Sequence, residues 1–107
     1  VQHDRHEERT PVELEVAYEE PGRQRFFPAL NLSASGIFLA AEESPELGQE
    51  VRVVLSLPPN GIFLRIQGQV VRHAGGSEPH GFAVAFEAVD ERTRSDLKEF
   101  VRECRSS

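Results

Sequence analysis

The run Ile62-Phe63-Leu64-Arg65-Ile66-Gln67-Gly68-Gln69-Val70-Val71-Arg72 sets Leu64, Ile66 and Val70 on one side of an extended chain and Arg65, Gln67 and Gln69 on the other. Successive side chains of a strand point to opposite faces, so this period of two predicts a strand with one face in a core and the other in water. The same alternation recurs on either side of it. Upstream, V-R-V-V-L-S-L gives Val51, Val53, Leu55 and Leu57 one apolar face, and V-E-L-E-V-A-Y sets Val12, Leu14, Val16 and Tyr18 against Glu13 and Glu15. Downstream, G-F-A-V-A-F repeats it with Phe82, Val84 and Phe86. Two further short strands, R-F-F-P-A-L-N-L ending at Leu32 and G-I-F-L-A starting at Gly36, are separated by S-A-S-G, which brings the expected number to six.

Turn chemistry divides the chain at the same places. Glu20-Pro21-Gly22, Pro58-Pro59-Asn60-Gly61 and Gly75-Gly76-Ser77 combine the fixed φ of proline with the positive φ open to glycine and asparagine. Pro28 has no N–H for a ladder, so its strand is expected to lie at an edge, at a bulge, or to begin later. Beyond the last strand the period lengthens. Leu97, Phe100, Val101 and Cys104 follow the i, i+3, i+4, i+7 stripe of an amphipathic helix, with Asp90 as its N-cap. The expected architecture is mainly β: a six-stranded antiparallel barrel or sandwich, with a helix over about 90–105 covering an open end. Residues 1–11 read as an irregular, flexible polar arm, and 12–107 as the folded unit.

Composition narrows the function. A chain of 107 residues has room for one core and no cleft between lobes, and its one Cys excludes an internal disulfide framework. No apolar run approaches a membrane span or a secretory leader, so no membrane insertion and a cytoplasmic location are expected. The chain starts at Val1 and contains no Met, as a piece trimmed from a longer protein would. Lys and Arg number 12 against 18 Asp and Glu, a net charge of −6. That balance argues against gripping a nucleic-acid polymer, where many phosphates must be neutralised together. It leaves room for a small anion held by a few arginines at contact distance.

Two constellations offer such a site. In the arm, D-R-H-E-E-R-T-P-V places Arg5 and Arg9 four residues apart. They form either a solvated surface turn paired with Glu7 and Glu8, or two planar guanidiniums that close over a phosphorylated, planar ligand. In N-L-S-A-S-G, Asn31 and Ser33 are two apart and, in an extended segment, project to one face. Gly36 is expected to take a positive φ and turn the chain into the next strand. This second motif reads either as a turn with local side-chain bonds or as a rigid polar platform at a strand end.

The order R-x-x-x-R, then N-x-S-x-x-G about twenty residues later, then G-x-x-V-x-F before a C-terminal helix, closely resembles the PilZ domain family. The R-T-P-V step into the first strand and the strand ending I-Q-G-Q-V-V-R belong to the same likeness, which runs from about Arg5 to the final helix. The resemblance implies a six-stranded barrel and a receptor for bis-(3′,5′)-cyclic dimeric GMP (cyclic di-GMP), a bacterial second messenger. It implies that Arg5 and Arg9 bind guanine edges and phosphates, that Asn31 and Ser33 contact a guanine and its adjoining backbone, and that Gly36 holds the turn. Asn31 stands where Asp or Asn is usual. Many members carry another arginine immediately before the first motif arginine, associated with two stacked ligand molecules; here Asp4 occupies that place, which points to one ligand per site.

Other candidate chemistry is weaker. His3 and His6 form H-x-x-H without further ligands nearby, so no metal and no cofactor are expected. Cys104 falls on the helix stripe, where packing outweighs reactivity. Ser33 and Ser35 have no base partner in view, and an enzyme is the least favoured class. The two readings carried forward are a ligand-responsive receptor acting on an unidentified downstream protein, and a degenerate domain of the same fold whose site is silent and which serves as a protein interaction module. Oligomeric state is open in either case.

Overall fold

The computed structural model describes residues 10–58, 61–75 and 80–106. Within them the strands are β1 (Thr10–Glu20), β2 (Arg23–Leu32), β3 (Gly36–Ala40), β4 (Glu50–Leu57), β5 (Ile62–Ala74) and β6 (Gly81–Phe86), followed by the helix α1 (Glu91–Ser106). The six strands close into an antiparallel barrel in the order β1-β2-β3-β6-β5-β4. Closure removes the unpaired edges that an open sheet of this size would expose. Of the two architectures open to the sequence, the barrel is the one formed. The β1 strand begins at Thr10, two residues inside the stretch read as an arm.

Alternation decides which side chains fill the barrel. Val16 and Tyr18 of β1, Val51, Val53, Leu55 and Leu57 of β4, Leu64, Ile66 and Val70 of β5, and Phe82 and Val84 of β6 are all buried. Tyr18, Phe27 and Phe82 meet edge to face, each pair of ring centroids 5.5 Å apart. Such pairs contribute about 0.5–1.5 kcal/mol each beyond the area they bury. Burial also strands the Tyr18 hydroxyl, which makes no hydrogen bond. Desolvation, with Glu20 adding to it and Arg25 opposing, pushes its pKa up to about 12.

The helix closes one end of the barrel. Leu97, Phe100 and Val101 are buried in the common core and Cys104 packs against it, so the stripe read from the sequence is the face that docks. Asp90 caps the helix by accepting the Thr93 N–H at 2.8 Å, and that bond holds its carboxyl below the usual range. Burial, with Glu103 nearby, pushes the Cys104 thiol up, away from the thiolate that reactivity needs. Pro28 lies where the β2–β3 ladder has not yet begun, since the first pair there is Ala29 with Leu39. The missing donor therefore interrupts nothing on that side.

Candidate functional site

The corner where β2 passes into β3 holds the N-x-S-x-x-G motif. Asn31 is half-buried at the end of β2, while Ser33 lies past the strand and is buried. The Ser33 N–H donates to the Gly36 carbonyl at 3.0 Å. Its hydroxyl accepts from the Ser35 N–H at 3.2 Å and makes a long 3.5 Å bond to the same Gly36 carbonyl. The Ser35 carbonyl in turn accepts the Phe86 N–H at 2.8 Å, fastening the corner to β6. Ser33 therefore shapes the turn from inside, and the extended two-residue spacing expected to align it with Asn31 ends at Leu32.

Gly36 corrects the reading made from sequence. The positive φ values fall at Gly22, Gly48 and Gly61 among the glycines and at Ala88, and Gly36 is not among them. What requires glycine is crowding: a Cβ built there meets the Val84 carbonyl oxygen at 2.8 Å. The sharp turn is made by the Ser33–Gly36 bonds, while Gly36 allows β3 to lie close against β6.

Three register shifts surround this corner. They fall between Pro11 and Leu14 where β1 meets β2, between Ala29 and Asn31 where β2 meets β3, and between Val70 and Arg72 where β5 meets β6. A bulge inserts a residue and re-aims the side chains beyond it. Strict alternation from the buried Ala29 would send Asn31 into the barrel. After the shift Leu32 points inward and pairs with Ile37, and Asn31 pairs with Phe38 on the outer face. The row continues, Phe38 with Ala83 and Ala83 with Arg72, and the adjoining row runs Gly36, Ala85, Gln69. The outcome is a floor of small residues around one aromatic, edged by Asn31 and the Ser33 turn. Phe38 and Ala83 in this row are themselves buried, at 5% and 2% exposure, and the Arg72 guanidinium lies over the Phe38 ring, 5.7 Å from its centre.

The arm's arginines, Arg5 and Arg9, lie outside the described residues, as do His3 and His6. Their point of attachment is described: Thr10 pairs with Leu32 and Pro11 with Asn31. The first residues of β1 thus lie beside the second motif. The neighbourhood of Phe38 escapes motif reading, because it follows from β3–β6 pairing, between strands about 45 residues apart in sequence. Among the described residues, no group of His, Cys, Asp and Glu is arranged to hold a metal ion. Nor is any helix among them long and apolar enough to cross a membrane.

A family model described as PilZ domain matches residues 3–103. No curated protein matches the chain. Among solved structures, the Bacillus subtilis inhibitor of motility, MotI/DgrA, superposes with a TM-score of 0.84 at 20% identity, covering 98% of this chain and 52% of that one. The chain therefore spans about half the length of that relative. The PilZ domain of YcgR from Escherichia coli, a structure with c-di-GMP, gives a TM-score of 0.73 at 11% identity, covering 97% of this chain and 93% of that one. At such identities the likeness establishes the fold.

Proposed function

Because the chain belongs to the PilZ domain family, a family of non-catalytic cyclic di-GMP receptors, we propose that it is a working receptor module for cyclic di-GMP. In this reading Arg5 and Arg9 hold guanine edges and phosphates, Asn31 and the Ser33 turn hold a guanine and its adjoining backbone, and Gly36 keeps the corner in shape. The observation that supports it best is the pairing of Thr10 with Leu32 and Pro11 with Asn31. That pairing puts Thr10, the residue that follows R-x-x-x-R in sequence, beside the strand that carries Asn31. It supports the reading in which the two motifs, about twenty residues apart in sequence, serve one site.

The chemistry suits a dianionic, purine-bearing ligand. Guanidinium forks match phosphate oxygens and the O6/N7 edge of guanine in bidentate fashion, and charge-assisted bonds of this type are roughly twice as strong as neutral ones. The segment before Thr10, where β1 begins, carries almost no apolar anchor of its own. Its ordering is therefore assigned to the ligand, which bridges it to the barrel corner and changes the surface offered to a downstream protein. With Asp4 before the first motif arginine, one ligand molecule per site is expected.

Calorimetric titration with cyclic di-GMP, beside its linear dinucleotide and GTP, tests this. Saturable binding of the cyclic form alone, weakened by more than tenfold in Arg9→Ala with the melting temperature of the free protein unchanged, is the expected result. Absence of heat and of any ligand-dependent melting shift in the unaltered chain would overturn it. The interaction-module reading would then take its place, with Glu7 and Glu8 as the acids that neutralise the arm.

A further inference from the structure

We propose that the groove between helix α1 and the β4–β5 turn is a docking site for a basic, amphipathic helical segment of a partner protein. The inference is independent of nucleotide binding. The groove lies at the end of the barrel that α1 closes, and its floor is apolar: Pro58 after β4, Ile62 at the start of β5, and Phe100 of α1. Ile62 is 38% exposed and Phe63, next to it in β5, is 72% exposed, so two consecutive large apolar side chains meet solvent at this turn. One wall is charged. Asp96, Glu99 and Glu103 form it from α1, and every ionisable side chain that lines the groove is an acid.

The helix period places these acids together. Leu97, Phe100, Val101 and Cys104 hold α1 to the barrel, and positions 96, 99 and 103, three and four residues apart, fall along one flank of that buried stripe. Arg94, Lys98 and Arg102 recur along the other flank. Like charges one turn apart weaken a helix, so Glu99 and Glu103 add nothing to α1 by standing together. They form, with Asp96, an acidic strip about 10 Å long beside an apolar floor. Charge complementarity then selects the occupant. An anionic lipid surface or a nucleic acid is repelled by the strip. A partner strand finds no edge to extend, because the six strands close on themselves. A partner helix seats apolar residues at i, i+3, i+4 and i+7 on such a floor. Its Lys or Arg residues, spaced at the same pitch, reach Asp96, Glu99 and Glu103 while their stems cover apolar surface.

The test uses the whole chain and a fluorescein-labelled peptide of about 18 Leu and Lys residues with its leucines on one helical face. A peptide of the same composition, its leucines scattered around the helix, serves as the comparison. Expected in anisotropy titrations is saturable binding of the amphipathic peptide, about tenfold tighter than that of the scattered one and about tenfold weaker in Glu99→Lys and in Ile62→Ser. Amide shifts on binding should be confined to the β4–β5 turn and α1. Glu43→Lys makes the same change of net charge in the β3–β4 loop and should bind within about twofold of the unaltered chain. Glu99 and Ile62 are both exposed, so melting temperatures of the free variants should stay within a few degrees of the unaltered protein. No saturable binding, or equal binding of the two peptides, overturns the inference. An equal loss in Glu43→Lys overturns it in favour of attraction by net charge alone. A dimer in sedimentation that Glu99→Lys and Ile62→Ser dissociate overturns it in favour of a second copy of this chain on the groove. Each of these results leaves the receptor reading untouched, since that is decided by titration with cyclic di-GMP.

Discussion

Replacing Gly36 by alanine separates two explanations of the last residue in N-x-S-x-x-G. The added Cβ meets the Val84 carbonyl oxygen at 2.8 Å, inside ordinary van der Waals contact, and the obstructing atom is backbone in the β3–β6 ladder. Ladder backbone on a closed barrel gives way only by prising two strands apart. Overpacking of this kind costs about 1–3 kcal/mol, while alanine returns about 0.4–1 kcal/mol by narrowing the unfolded ensemble. A net loss of about 1–2 kcal/mol lowers the midpoint of a domain this size by roughly 4–10 °C. Thermal and urea melts of Gly36→Ala and Gly36→Asn, each beside the matching Gly22 variants, make the comparison sharp. Gly22 has φ +75° with nothing within 4 Å of a built Cβ, and asparagine tolerates the left-handed region better than alanine. At Gly22, Asn should be milder than Ala. At Gly36 the larger side chain should be at least as damaging. A Gly36→Ala midpoint equal to that of the unaltered chain, or an Asn variant milder than the Ala variant there, would refute the crowding explanation and restore the conformational one.

Tyr18→Phe should be neutral to slightly stabilising at pH 8, because the hydroxyl it removes is buried and makes no hydrogen bond. With a pKa raised from 10.0 to about 12, Tyr18 contributes fully below pH 10. As pH rises through about 12 that contribution is lost, since the unfolded chain releases its proton first. The unaltered protein should therefore lose about 1–3 kcal/mol relative to Tyr18→Phe over this window, read as diverging urea midpoints; parallel midpoints would contradict the buried hydroxyl. Asp90→Ala removes the acceptor for the Thr93 N–H and should lower the melting temperature at pH 7. Because the Asp90 carboxyl is held below its ordinary 3.8, its contribution is present above that value and lost as pH falls through the depressed one, so the gap between the two proteins should narrow as the solution is acidified below 3.8. A gap that stays constant through the whole acid range would mean that the charge of the cap contributes nothing.

Period-two alternation made the strands legible because it records a physical necessity, one face in the core and one in water. Strand β4, for example, buries Val51, Val53, Leu55 and Leu57 as written. The helix was legible for the same reason at period 3.6, down to its cap at Asp90. Alternation says which residues share a face of one strand and is silent on which strand lies beside it. The neighbours that matter at the candidate site are β3 with β6 and β6 with β5, and the first of these pairs lies about 45 residues apart in sequence. The motifs therefore pointed to Asn31, Ser33 and Gly36, which are local, and were silent on Phe38 and Ala83, which are joined to that corner only by register. Bulges deepen the gap, because a single inserted residue inverts every inference drawn from alternation beyond it. Both Asn31 and Arg72 sit just past such an insertion, and carrying the period through would have buried each of them. The pattern fails at the bulges, where one extra residue re-aims the side chains beyond it, and a reading by period alone therefore stops at each of them.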